Sequence, residues 1–261
     1  MIDIHSHILP GLDDGAKNVE ESLLMVKEAI EDGIHTIVAT PHHMNGIYHH
    51  EKADIIHQVD LLNQRIKEEG YDITILPGSE IHAYGEFVTD LKNDRLLTFN
   101  NNQKYVFVEF PYDRVPMGAE QLIFEIQVAG FVPIIPHPER NRDFRENPNK
   151  LYQLVKRGAL TQLTASSLLG TFGANIQKFA EEIVEHHLSH MIATDSHGIG
   201  KRGEKLKEAY QTLYNQFGAQ LVNDYQDNVK RVIEGKDIYV DMPYRIERKK
   251  GLFGFFKRKS S

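Results

Sequence analysis

Residues 1–39 read MIDIHSHILPGLDDGAKNVEESLLMVKEAIEDGIHTIVA. β-Branched residues at both ends of this stretch predict two short strands. Between them Asn18 is the expected N-cap of a helix, with Glu21 three residues later, and Gly33 is expected to end that helix. The stretch therefore predicts one strand–helix–strand unit.

The same unit recurs along the chain. Apolar strands alternate with amphipathic helical patterns, and no hairpin signal lies between them, so we expect a parallel sheet covered by helices. Periodicity alone leaves open whether that sheet is a barrel or an open sheet. The seven expected strands lie near residues 2–4, 36–39, 73–76, 105–108, 132–135, 160–163 and 191–193.

Composition limits the chemistry. The 261 residues include 14 histidines and no cysteine. The lack of cysteine excludes disulfides, thiolate nucleophiles and zinc sites built on sulfur. Any metal ion must therefore be held by histidine and carboxylate ligands.

The net charge of −7 is unevenly distributed. Residues 245–261 carry seven basic residues and one acid, so the rest of the chain is strongly acidic and is expected to bind nucleic acid poorly. The first 20 residues include acids and histidines, which do not suit a secretory signal, and no apolar run is long enough for a membrane span. We expect a cytoplasmic protein.

Metal-type side chains follow almost every expected strand. Taken singly, each has an ordinary structural explanation, such as capping a helix or shaping a turn. Together they point to one metal site, because the carboxyl ends of parallel strands meet at the edge where α/β active sites form. The nine candidates are His5, His7, Asp14, His42, Glu80, Glu109, His137, Asp195 and His197.

Nine ligands are too many for one ion, so we expect two or three divalent ions. Mixed imidazole and carboxylate ligation suits manganese, iron or zinc better than calcium or magnesium. Arg140 and Arg202 follow two of these clusters, and a guanidinium binds phosphate oxygens in a bidentate manner. Arg140 is therefore a predicted phosphate contact, while for Arg202 the residues leave phosphate binding and a surface position equally open.

At these residues the chain resembles the PHP metallophosphoesterase superfamily. Within it, the chain resembles the CpsB/YwqE type of bacterial protein-tyrosine phosphatases from capsule and exopolysaccharide loci. The resemblance spans residues 1 to about 240 and rests on ordered blocks. They are Asp3-Ile4-His5-Ser6-His7, Asp13-Asp14-Gly15, Thr40-Pro41-His42, Gly78-Ser79-Glu80-Ile81, Val108-Glu109-Phe110, His137-Pro138-Glu139-Arg140 and Thr194-Asp195-Ser196-His197.

The resemblance implies a fold and a ligand set. The fold would be a distorted TIM-like barrel of about seven parallel strands, in a single domain over residues 1–240, followed by a basic aromatic tail over residues 241–261. Three ions, manganese or iron in the family, would be bound. The first would take His5, His7, Glu80 and Asp195; the second Glu80, Glu109 and His137; the third Asp14, His42 and His197. Asp13 and His43 remain alternatives to their neighbours Asp14 and His42.

The resemblance also implies an activity. The chain would hydrolyse phosphotyrosine on proteins, with Arg140 and Arg202 on the phosphate and a metal-activated hydroxide as nucleophile, so no phosphocysteine would form. Its substrates would include a cognate bacterial tyrosine kinase, in the regulation of capsule or exopolysaccharide synthesis. The alternatives are another PHP phosphoesterase, such as a histidinol-phosphate phosphatase, and a metal-binding regulatory module without catalysis.

The tail has two interpretations. Its basic residues flank Leu252, Phe253, Phe255 and Phe256, a pattern that suits contact with an anionic membrane surface or an acidic kinase segment. A solvated chain end explains it equally well.

Overall fold

The computed structural model describes residues 1–200, 203–238 and 240–248. Within these ranges, strands and helices alternate along most of the chain. The strands are β1 (Ile2–Ser6), β2 (Thr36–Ala39), β3 (His42–His43), β4 (Thr74–Pro77), β5 (Glu80–Ile81), β6 (Tyr105–Phe107), β7 (Val132–Pro136), β8 (Leu160–Thr164) and β9 (Met191–Ala193). The helices are α1 (Val19–Asp32), α2 (Lys52–Glu68), α3 (Phe87–Lys92), α4 (Ala119–Val128), α5 (Arg142–Glu146), α6 (Pro148–Lys156), α7 (Ala165–Leu168), α8 (Ala174–Glu185), α9 (Leu206–Phe217) and α10 (Ala219–Ile233).

The strands pair in parallel throughout the described ladders, which confirms the predicted α/β class. They form three sheets, in the orders β1-β2-β4, β3-β5 and β6-β7-β8-β9. The expected number of seven strands is wrong: the described residues form nine, because β3 and β5 are two-residue strands that follow β2 and β4. Closure of these three sheets into one barrel stays a prediction.

Two isolated parallel bridges connect the sheets. Ser6 pairs with Ser196 just after β9, and His82 pairs with Glu109 just after β6. The sheets also share a core, because one buried cluster contains Ile4 of β1 together with side chains of the four-stranded sheet. The carboxyl ends of β1 and β9, and those of β5 and β6, are therefore held side by side.

Helix α1 begins and ends where the sequence predicts. The side chain of Asn18 accepts a hydrogen bond from the backbone N–H of Glu21, and Gly33 ends the helix in the left-handed conformation at φ 89°. The buried face of α1 consists of Ser22, Met25, Val26 and Ala29. Met25, Val26 and Ala29 belong to the same buried cluster as Ile37 of β2, and the Ser22 hydroxyl donates to the carbonyl oxygen of Ile8, in the segment that leads to Asp14.

The described residues after the last strand include helices α9 and α10, and α10 contacts β1 and β9. Helix α10 had no counterpart in the predicted pattern. Beyond it, the backbone N–H of Tyr244 donates to the carbonyl oxygen of His186 at 2.8 Å, and Arg248 forms an ion pair with Glu182 at 2.8 Å. Residues 241–248, the first part of the expected tail, thus pack on α8, whereas residues 249–261 lie outside the described residues.

The helices of the described residues differ from membrane-spanning helices. None of them combines the length and the apolar character that a transmembrane helix needs.

Candidate metal centre

All nine predicted metal ligands meet in one place. They lie at or just after the carboxyl ends of β1, β6, β7 and β9 and at the first residues of the short strands β3 and β5, and Asp14 joins them from the loop before α1. The pairing of β3 with β5 sets His42 directly beside Glu80, and the bridge at Ser6 brings the end of β1 to the end of β9. Each of the nine has a ligand-type atom within 3.9 Å of such an atom on another.

The most deeply buried group consists of His5, His7, Glu80 and Asp195. The Nε2 atoms of the two histidines are 3.3 Å apart, and each lies 3.4 Å from Glu80 Oε2 and 3.4 Å from Asp195 Oδ1. Ligand atoms held about 2.1 Å from one ion at tetrahedral angles lie about 3.4 Å apart. These distances are those expected between ligands of one cation, and His5, His7 and Glu80 can together direct one ligand atom each to a common point.

Hydrogen bonds on the far side of each ring decide which nitrogen faces the centre. His5 Nδ1 lies 2.8 Å from Gln162 Oε1, and His7 Nδ1 lies 2.6 Å from Asp13 Oδ2. His197 Nδ1 contacts the carbonyl oxygen of Asp195 at 2.9 Å. Each of these three Nδ1 atoms faces an oxygen that can only accept a hydrogen bond, so Nδ1 carries the proton. The lone pair of each ring is therefore on Nε2 and points to the centre of the cluster, as in metal-binding histidines.

Glu80 is the centre of the second group. Its Oε1 atom lies 2.6 Å from His137 Nε2, and its Oε2 atom lies 2.9 Å from His42 Nδ1. Glu109 Oε2 is 3.9 Å from the same nitrogen of His42. His42 Nδ1 and Glu80 Oε2 are buried, and neither makes a hydrogen bond of normal geometry, although buried polar atoms are almost always paired. A cation between them would satisfy both atoms.

The third group lies nearer the surface. Asp14 Oδ1 is 3.5 Å from His42 Nε2 and 3.4 Å from His197 Nε2. His7, Asp14, His42 and His197 can together direct one ligand atom each to a common point. His42 thus takes part in both the second and the third group through its two nitrogens.

The structure separates the neighbours that the sequence left ambiguous. Asp13 lies behind His7 and also accepts hydrogen bonds from the backbone N–H groups of Gly15 and His42, while Asp14 faces the cluster. His42 likewise faces the cluster. His43 turns away, and its Nδ1 accepts a hydrogen bond from the backbone N–H of His50.

Opposite charges within the cluster stabilise the charged forms of its side chains. Burial disfavours the charged forms of His7, Glu80 and Asp195, but nearby opposite charges outweigh it. Burial opposes protonation of His7, yet Asp13 raises the pKa of that imidazole well above its usual value. Against the same burial, Arg140 and His5 hold the pKa of Asp195 well below its usual range, and His5 and His42 do the same for the pKa of Glu80. The carboxylates are therefore ionised and able to bind cations.

These residues fit divalent metal ions. The donor set is purely imidazole and carboxylate, several lone pairs converge at ligand spacing, and two buried ligand atoms lack hydrogen bonds. Glu80 belongs to two of the groups. His5, His7, Glu80 and Asp195 would hold one ion, Glu80, Glu109 and His137 a second, and Asp14, His42 and His197 a third.

Arg140 lies beside this centre. One of its terminal nitrogens donates to Asp195 Oδ2, and the guanidinium lies 5.4 Å from the centre of the Phe172 ring. Burial opposes the charge, but Asp195, Glu139 and Glu80 raise the pKa of Arg140 above its ordinary value, so its charge is permanent. Arg202, the other predicted phosphate contact, lies outside the described residues.

A cavity of about 190 Å³ opens onto the cluster. Arg140 lines it, as do seven of the nine predicted ligands, all except His5 and His7. An anion in this cavity would meet both the guanidinium and any bound cations. The arrangement can therefore bind a phosphate group and activate water beside it.

Three supporting residues were missed at the sequence level. Gln162 of β8 holds His5, and Asp3 accepts hydrogen bonds from the backbone and hydroxyl of Thr194, just before Asp195. Glu139 is completely buried and accepts a hydrogen bond from the backbone N–H of Thr164. A glutamine within an otherwise apolar strand was the available signal for Gln162.

Comparison with known proteins identifies the family of this chain. A family model described as "Capsular polysaccharide synthesis, CpsB/CapC" matches residues 1–234. The chain is 44% identical to the tyrosine-protein phosphatase YwqE of Bacillus subtilis, over 98% of this chain and 100% of the relative. It is 35% identical to the putative tyrosine-protein phosphatase CapC of Staphylococcus aureus, over 97% of this chain and 99% of that relative.

A solved structure also matches this chain. Its report presents YwqE from Bacillus subtilis and CpsB from Streptococcus pneumoniae as unique metal-dependent tyrosine phosphatases. The match has a TM-score of 0.92 and 43% identity, and covers 95% of this chain and 100% of the other. The resemblance recognised in the sequence is thereby confirmed: the chain belongs to the CpsB/CapC family of capsular polysaccharide synthesis proteins.

Proposed function

We propose that this protein is a metal-dependent tyrosine phosphatase that hydrolyses phosphotyrosine on proteins. The observation that carries the proposal is that nine imidazole and carboxylate side chains cluster together, and that seven of them line one cavity with the partly buried Arg140. The relatives named as tyrosine-protein phosphatases support the choice of substrate.

The ligand assignment is part of the proposal. His5, His7, Asp14, His42, Glu80, Glu109, His137, Asp195 and His197 would hold two or three divalent ions, with manganese as the expected metal and iron or zinc as alternatives. When bound, these ions supply Lewis-acid activation of water and neutralise phosphoryl charge. The carboxylates keep their charge at neutral pH because the imidazoles and Arg140 stabilise it.

Arg140 positions the phosphate in this mechanism. Its planar guanidinium matches two phosphoryl oxygens, and Asp195 fixes the side chain so that little conformational freedom is lost on binding. Arg202 would be a second phosphate contact. The phenol of tyrosine leaves with a pKa of about 10, so a strong general acid is not required.

The direct test is turnover of p-nitrophenyl phosphate and of a phosphotyrosine peptide with added Mn²⁺. Chelation should abolish both activities, and iodoacetamide should have no effect because the chain has no cysteine. Inactivity towards every phosphate ester would refute the proposal. Strong preference for histidinol phosphate would instead favour the other PHP phosphoesterase reaction.

Arg140→Ala tests the phosphate contact. The variant should lose turnover and keep its metal content, whereas loss of metal would give Arg140 a structural role. Arg142→Ala is the matched control, because Arg142 is 65% exposed and pairs with Glu146 rather than with the cluster. It should retain turnover.

The biological setting extends the proposal. We expect the substrates to include a cognate bacterial tyrosine kinase, in the cytoplasm, and the activity to affect capsule or exopolysaccharide synthesis; the family description supports that link. Replacing the chromosomal copy by Arg140→Ala should raise the phosphotyrosine content of the kinase. An unchanged content would refute this setting.

The barrel and the domain division remain proposals as well. The shared core and the bridges at Ser6 and His82 support closure of the sheets into a distorted barrel. A single cooperative unfolding transition for a chain truncated after residue 240 would support a 1–240 domain. Failure of that chain to fold would place residues 241–248 within the domain.

A further inference from the structure

The walls of the site cavity differ in chemistry. Part of the lining carries the charged groups described above, including Arg140. The apolar wall, the apolar part of the lining, includes Phe110, Tyr112, Pro138 and Phe144. A ligand that matches both parts has a compact anionic end and an apolar body.

The aromatic residues of the apolar wall differ in exposure. Phe110 is 5% exposed and Phe144 is 0% exposed, and their ring centres are 6.3 Å apart within the core. Tyr112 is 61% exposed. A ring at the cavity mouth with that much open surface can still gain contact when a ligand enters, whereas the two phenylalanines are already packed.

Tyr112 is held in place by the segment that carries Arg140. Its carbonyl oxygen accepts a hydrogen bond from the backbone N–H of Arg142 at 2.9 Å. The guanidinium of Arg145 lies 6.0 Å from the centre of the Tyr112 ring and donates to the carbonyl oxygens of Glu139 and Arg140. The backbone of Tyr112 is therefore tied to the segment that carries Arg140, and the Tyr112 ring lies beside that segment.

We propose that Tyr112 is a specificity-determining residue that contacts the aromatic ring of the substrate and so favours aryl over alkyl phosphate esters. The proposal deepens the proposed function and rests on it. The phosphate end of the ligand would face Arg140, and the ring would lie against Tyr112. Selectivity for tyrosine would then come from ring contact as well as from the ease with which phenol leaves.

The test compares two anions that differ by a ring. Dissociation constants of phenylphosphonate and of inorganic phosphate are measured by calorimetry on the Mn²⁺-loaded protein. An aromatic pair contributes an amount that corresponds to about 3- to 10-fold in affinity. Tyr112→Ala should weaken phenylphosphonate binding by about 3- to 10-fold and change phosphate binding by less than about twofold.

Two further variants isolate the ring. Tyr112→Phe keeps the ring and should retain phenylphosphonate affinity. Tyr214→Ala removes a comparably exposed tyrosine, 53% exposed on α9, and should change neither constant.

The outcomes separate the two proposals. Equal weakening of both anions in Tyr112→Ala, or no weakening of phenylphosphonate, would overturn the ring contact. Failure of the wild-type protein to turn over any aryl phosphate would refute the phosphatase function itself, and this is measured independently of the Tyr112 variants.

Discussion

Gln162 provides a sharp test of the metal centre because it supports a ligand without being one. Its Oε1 atom lies 2.8 Å from His5 Nδ1, its Nε2 group donates to the carbonyl oxygen of Leu163, and its side chain is completely buried. We expect Gln162→Leu to weaken metal binding while leaving every proposed ligand in the chain.

The magnitude follows from the lost acceptor. With leucine at this position the Nδ1 proton of His5 has no partner, and the ring can move its proton to Nε2, the atom that faces Glu80 and Asp195. Loss of such a supporting partner typically weakens metal affinity by 10- to 100-fold, or about 1.4 to 2.7 kcal/mol. An unsatisfied buried donor costs a similar amount, about 1–3 kcal/mol.

Calorimetric titration of the metal-free variant with Mn²⁺ measures this loss, and turnover of p-nitrophenyl phosphate should recover at saturating Mn²⁺. Gln177→Leu is the matched control, because Gln177 also donates to a backbone carbonyl, that of Leu168, outside the cluster. Wild-type Mn²⁺ affinity in Gln162→Leu would refute the role assigned to His5 Nε2. Equal losses in both variants would show a general effect on stability instead.

Three other perturbations have defined outcomes. Gly15→Ala should strongly reduce Mn²⁺ binding in the same titration. The added Cβ atom would lie 2.0 Å from the carbonyl oxygen of His7 and would force His7 to move. Wild-type Mn²⁺ affinity in this variant would contradict the prediction. Mn²⁺ at 100 times its dissociation constant should stabilise the fold by about 2.7 kcal/mol, seen as a higher Tm that chelator reverses, and an unchanged Tm would exclude binding to the folded state. Burial lowers the pKa of His190 from 6.5 to about 4. Between these two pH values the unfolded chain therefore binds more protons than the folded protein. The free energy of unfolding should fall by about 3 kcal/mol as the pH drops through this range. Denaturant unfolding of His190→Asn, compared with wild type from pH 7 to 4, should show a smaller fall, and equal falls would contradict the assignment.

The sequence predicted the α/β class and the helix boundaries that depend on local chemistry. Asn18 and Gly33 bound α1 because a side-chain cap and a left-handed glycine act over a few residues. The nine ligands could be selected because parallel strands bring their carboxyl ends to one edge, which follows from the order of elements without coordinates.

The short strands could not be predicted. His42–His43 and Glu80–Ile81 contain no apolar run, and they become strands only because each supplies the other's backbone partners. Helix α10 was missed because the pattern after α9 contains no strand to mark a further unit. Strand count and sheet closure therefore depend on contacts between distant segments.

Residue types and the order of elements were enough to identify the chemistry: imidazole, carboxylate and guanidinium groups without a thiol, expected at the ends of parallel strands. Contacts in the folded chain were needed to show that Asp14 and His42 face the cluster while Asp13 supports His7, and that Gln162 orients His5. Residue type and spacing are fixed along the chain, but the atom that a ligand presents depends on hydrogen bonds between residues as far apart as His5 and Gln162.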